Sequence, residues 1–156
     1  MNSYIFDSGP IIILVQHYYQ KRFPSLWEKI SVVLSEKRFF SVKEVFHELE
    51  GKEDDVLEWA KRNKSIFLAP TEEESLFIME IFKIPHFQTL IGERQRLKGL
   101  PAADPFLIAS AKVNNATLVT TEKEKANSAK IPNVCKHFGV DCINLEEFME
   151  REGWKF

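Results

Sequence analysis

The chain has 156 residues, 44% of them hydrophobic and 28% charged, with a formal net charge of −2. That size and balance suit a single domain over residues 1–156 and argue against a disordered or polybasic chain, and the longest apolar run, 11–15, falls far short of the ~20 residues of a bilayer span. Two cysteines, Cys135 and Cys142, are too few for a disulfide framework, so with no signal-peptide pattern the expected compartment is the cytoplasm.

Residues 3–6 are short, apolar and β-prone, and end at Asp7. Ser8-Gly9-Pro10 then punctuates the chain, with Ser8 as a predicted cap and Pro10 in the first turn of a helix carrying Ile11, Leu14, Val15 and Tyr18. A second helix is predicted over 25–35, a brief strand over 38–41, and helices over 42–50 and 54–62. Residues 66–68 read as a short strand. Thr71 followed by Glu72, Glu73 and Glu74 marks a helix start that runs to about Lys83. The next helix, opened by Pro101 and Pro105, is rich in small apolar residues and runs to about Val113. Residues 116–120 are the clearest strand, followed by a short helix over 131–137, a strand over 141–143 and a closing helix over 145–151. Strands alternating with helices predict parallel β-α units in an α/β sandwich, whose sites form beyond the carboxyl ends of the strands.

Acidic residues sit at those ends. Asp7 closes the first strand, Glu44 and Glu48 lie one helical turn apart after the second, Asp104 opens the small-residue helix, and Glu122 follows the 116–120 strand by two residues. Singly, each has an ordinary role as a cap, turn or solvated charge. Jointly placed, they form a set of carboxylates that repel one another and are costly to desolvate, a problem a dication removes. Hard oxygen donors favour Mg²⁺ or Mn²⁺ over zinc, and such a site suits hydrolysis of a phosphodiester.

Four segments resemble the motifs of PIN-domain ribonucleases. They are Tyr4-Ile5-Phe6-Asp7-Ser8, Val45-Phe46-His47-Glu48-Leu49, Ala102-Ala103-Asp104 with the following Pro105 to Ala109, and Leu118-Val119-Thr120-Thr121-Glu122. With the 130–135 segment and Gly153-Trp154, nearly the whole chain is similar to a PIN-like group labelled a domain of unknown function. The resemblance implies a three-layer α/β/α sandwich around a parallel four- to five-stranded sheet. It also implies a cytoplasmic, Mg²⁺- or Mn²⁺-dependent endoribonuclease that leaves a 5′-phosphate and a 3′-hydroxyl, and the toxin of a toxin–antitoxin pair. Asp7, Glu48 and Asp104 would be metal ligands, with Glu122 a fourth, standing where Asp is commoner. Thr120 would hydrogen-bond a carboxylate, and Ser8 would orient Asp7. If Ser41 caps the helix, Glu44 replaces Glu48 as the ligand. RNA and an antitoxin are the implied partners, and a homodimer is open. A catalytically inactive PIN-like module that binds RNA or protein is the alternative.

Other signals are weaker. Residues 83–136 carry nine Lys and Arg against four Asp and Glu, which fits either a phosphate-bearing partner or a solvated surface. Within them Arg94, Arg96 and Lys98 are either an RNA grip or an exposed helix end. Cys135, His137 and Cys142 lack a fourth ligand for zinc. No Gly-rich phosphate loop occurs.

Overall fold

In the computed structural model, residues 1–90 and 102–156 are described. Five strands form one sheet: β1 (Tyr4–Phe6), β2 (Phe39–Val42), β3 (Phe67–Leu68), β4 (Thr117–Val119) and β5 (Cys142–Ile143). Their order is β3-β2-β1-β4-β5, and every neighbouring pair is parallel. The helices are α1 (Ser8–His17), α2 (Pro24–Ser35), α3 (Lys43–Glu50), α4 (Asp54–Arg62), α5 (Glu72–Phe82), α6 (Ala103–Val113), α7 (Ile131–Phe138) and α8 (Leu145–Arg151). Parallel neighbours need crossovers, so every strand is followed by a helix, as the alternation predicts. The architecture is the expected α/β/α sandwich, with all five strands.

The central strands β1 and β4 are short and buried on both faces, so they carry no polar–apolar alternation, whereas β3 at the edge is partly exposed. Tyr4 and Phe6 point to one face and Ile5 to the other. On the aromatic face Phe6 stacks on Phe39 at 3.7 Å between ring centroids, and Phe148 of α8 meets both Tyr4 and Phe6 edge-on. Trp59 of α4 closes this layer against Phe39. The small residues of α6 let it lie close on β1, β2 and β4, with α5 and α7 packed outside it. Among the described residues no helix is long and apolar enough to cross a membrane.

One local expectation is corrected. Helix α1 begins at Ser8, and its N-cap is Asp7 rather than Ser8. Ser41 lies in β2, as the 38–41 reading expects, fully buried, with its hydroxyl donating to the Phe6 carbonyl at 2.6 Å; the N-cap of α3 is Val42, so the Ser41 cap that the Glu44 alternative required is absent. The strand runs through Val42, one residue past the predicted end, and its buried hydroxyl at Ser41 is satisfied by the neighbouring strand.

Candidate functional site

Chain order sends β1, β2 and β3 outward in one direction and β4 and β5 in the other, so the topological switch lies between β1 and β4. In open α/β sheets that crevice, beyond the carboxyl ends, is where ligands bind. Asp7 follows β1 there, and its backbone N–H donates to the Val119 carbonyl of β4 at 3.0 Å. Its side chain is buried, and both oxygens are held: Oδ1 accepts from the Ser8 N–H at 2.8 Å and Oδ2 from the Thr120 hydroxyl at 2.8 Å. Thr120 Oγ1 also accepts from the Glu122 backbone N–H at 3.2 Å. One buried hydroxyl thus ties the end of β1 to the turn after β4.

Glu48 projects from α3 and Asp104 from the first turn of α6, both half-buried. Burial first, then the charges of Asp7, Glu122 and Glu48, pushes the Asp104 carboxyl up to about 8. Burial also raises Asp7, against the Thr120 and Ser8 hydrogen bonds, with the Glu122 charge adding to the rise. Glu48 is raised by burial and by Asp7 and Glu122, against the Ser8 hydroxyl and Lys52. The four carboxylates share one electrostatic neighbourhood, as their positions after strand ends predict. Ser8 serves Glu48 as well as Asp7, a wider role than the sequence assigned it.

Glu44 stands apart. Its side chain is buried, its Oε2 has no hydrogen-bond partner among the described residues, and its charge is not among those acting on Asp104. With Ser41 in the strand, the register favours Glu48 as the carboxylate facing the group. Glu122 has a second task that sequence reasoning missed: its Oε2 accepts the Ile131 N–H at 2.9 Å, capping α7, whose N-cap residue Lys130 provides no side-chain bond. Nine residues separate the two, so no local capping pattern announces it.

Gly9 was also missed. A Cβ built on it would lie 2.6 Å from Thr121 Oγ1 and 3.0 Å from its Cγ2. The first turn of α1 therefore lies against the β4–α7 loop at van der Waals distance, possible only without a side chain.

An oxygen-only set of carboxylates raised by burial and mutual repulsion fits a hard dication by its chemistry. Among the described residues, however, no three His, Cys, Asp or Glu side chains are gathered tightly enough to form a ready metal cage. Cys135 belongs to the core, and the His137 ring packs against Phe87 and Phe138. His47 is exposed, beside Glu50 at 2.9 Å. Arg94, Arg96 and Lys98 lie outside the described residues.

A family model described as "Domain of unknown function (DUF4411)" matches residues 4–156. No curated protein matches the chain. The crystal structure of PAE2754 from Pyrobaculum aerophilum is similar to it with a TM-score of 0.51 and 15% identity, over 96% of this chain and 88% of that one. At that identity the likeness shows the fold alone.

Proposed function

The chain belongs to the DUF4411 family, a domain of unknown function, and from its site we propose that it is a metal-dependent endoribonuclease of the PIN type, a single cytoplasmic domain acting as the toxin of a toxin–antitoxin pair. The observation that carries this reading is the convergence of Asp7, Glu48, Asp104 and Glu122 at the switch between β1 and β4, where each of the first three carboxyls is raised by burial and by its acidic neighbours.

Asp7, Glu48, Asp104 and Glu122 would hold Mg²⁺ or Mn²⁺. When bound, such an ion lowers the pKa of a water and offsets the charge that develops on phosphorus. Thr120 keeps Asp7 oriented through Oδ2, and Ser8 fixes it through Oδ1. Glu122, restrained through Oε2 by the Ile131 N–H, has its other oxygen left for the ion. Lys123 and Lys125, exposed on the loop after β4, stand beside this edge and suit phosphates of an RNA strand. Arg94, Arg96 and Lys98 are assigned the same work.

Incubation with RNA and Mn²⁺ tests this: the parent cleaves to 5′-phosphate and 3′-hydroxyl ends, and EDTA, Asp7→Asn or Asp104→Asn stops it. Cleavage by both variants at the parent rate would refute the site. A non-catalytic RNA- or protein-binding module is favoured by one observation, the lack of a ready three-ligand cage among the described residues; it predicts RNA retention without cleavage and no saturable Mn²⁺ binding.

A further inference from the structure

A concavity lies at the opposite edge of the sheet from the carboxylates. It has a volume of about 620 Å³ and is lined by residues that precede or open strands: Ser3 before β1, Lys37 and Phe40 at β2, Ser65 and Ile66 before β3, with Leu68 and Asn114 at its sides. That volume is within the ~300–1,000 Å³ of pockets that take drug-sized ligands. Phe40, Ile66 and Leu34 are half-buried there, and Leu68 on the edge strand is 47% exposed. The lining is mixed: Leu34, Phe40, Ile66 and Leu68 give it an apolar part, and Ser3, Ser35, Ser65 and Asn114 supply polar groups.

Lys37 supplies the one charge in this lining. Its neighbours Glu36 and Arg38 are paired with each other, whereas among the described residues Lys37 has no ion pair. Its backbone is left-handed, with φ 58°, just past the end of α2, and the turn is closed by Lys37 N–H to the Leu34 carbonyl and Arg38 N–H to the Val33 carbonyl, each at 3.0 Å. Glycine holds such a position with least strain, so a lysine there is a costly choice that sets an ammonium beside an apolar slot.

We propose that this cleft binds a flat aromatic group carrying a single negative charge, its ring against Phe40, Ile66 and Leu68 and its anion on Lys37. No acidic residue lines the cleft, which disfavours a cation, and a lone ammonium matches one charge rather than a polyanion. The site is separate from the carboxylate edge and does not depend on nuclease activity.

Calorimetry and saturation-transfer NMR with 2-naphthoate, 2-naphthol and 2-naphthylmethylammonium test it on the full chain. Naphthoate binds, and the neutral and cationic analogues bind about tenfold more weakly or worse, the effect of one charge-assisted contact. Lys37→Gly, which removes the charge and suits the backbone, melts no lower than the parent and erases the preference for the anion. Leu68→Ser weakens naphthoate and naphthol alike, while Asp7→Asn binds naphthoate as the parent does. No transfer from the protein to naphthoate, equal binding of the three probes, or an unchanged anion preference in Lys37→Gly would overturn the proposal, as would retention of an extended apolar peptide by a protein that ignores naphthoate.

Discussion

Thr120 is where a single side chain holds two parts of the site, since its hydroxyl donates to Asp7 Oδ2 and accepts from the Glu122 N–H. Thr120→Val keeps the shape and removes both bonds. It lowers stability by about 1–3 kcal/mol, the cost of leaving buried polar groups unpaired. Because that hydrogen bond holds the Asp7 carboxyl down, its loss raises Asp7 further, and the acid limb of the proposed cleavage moves to higher pH; paired melts and pH–rate profiles check this. Gly9→Ala drives a methyl into the Thr121 side chain and displaces the first turn of α1 with Asp7 on it. The proposed activity falls, and Thr121→Ala restores it in the double variant, because the two closest atoms in the way belong to that side chain beyond Cβ. Asp7, Thr120 and Asp104 were legible in the sequence because strand ends and a helix start mark them. Gly9 and the second role of Glu122 were not, since both depend on a contact between segments more than a hundred residues apart or on a cap outside its local frame.

Helix α8 is fastened to the sheet by chemistry at its carboxyl end. Glu152 accepts from Arg38 at 2.9 and 3.0 Å and from the Tyr4 hydroxyl at 2.7 Å, bringing the last helix against the start of β1 and β2. Phe148 packs beneath, edge-on to Tyr4, Phe6 and Trp154. Burial pushes Glu152 up, but the Arg38 and Tyr4 hydrogen bonds outweigh it and hold the carboxyl below its ordinary value. Such a group stabilises the fold above the ordinary carboxylate pKa, and the gain is lost as pH falls through its folded value. Glu152→Ala therefore costs about 2–4 kcal/mol near neutrality, and the difference from the parent shrinks in acid, as urea titrations at several pH values would show. Element types and order were readable from apolar runs, from Thr71 with its acidic turn, now seen as a capping box with Glu74, and from the Pro-bounded starts. Boundaries were less so. The second strand, read as 38–41, spans Phe39–Val42, one residue later at each end, and the Ser41 hydroxyl on the Phe6 carbonyl of the parallel neighbour β1 removes the alternative in which Ser41 caps the helix.

Across the whole molecule, the order β3-β2-β1-β4-β5 does what no segment does alone: it brings residues 7, 48, 104 and 122 to one edge. Their mutual repulsion makes the metal-free fold sensitive to pH. Asp104 has an ordinary value of 3.8 and a folded value of about 8, so between the two the folded protein keeps a proton that the unfolded chain has released. Stability in EDTA therefore falls as pH rises through that window, and Asp104→Asn flattens the fall by removing the proton at issue. Thermal melts across the window measure both slopes. The most direct measurement of the shared site is a calorimetric titration with Mn²⁺ at neutral pH, run in buffers of different ionisation enthalpy. Binding is expected to saturate with a proton released, since the Asp104 carboxyl must ionise to take a cation, and to be lost in Asp7→Asn and Asp104→Asn. Absence of binding, or the same heats from parent and both variants, would contradict the shared site.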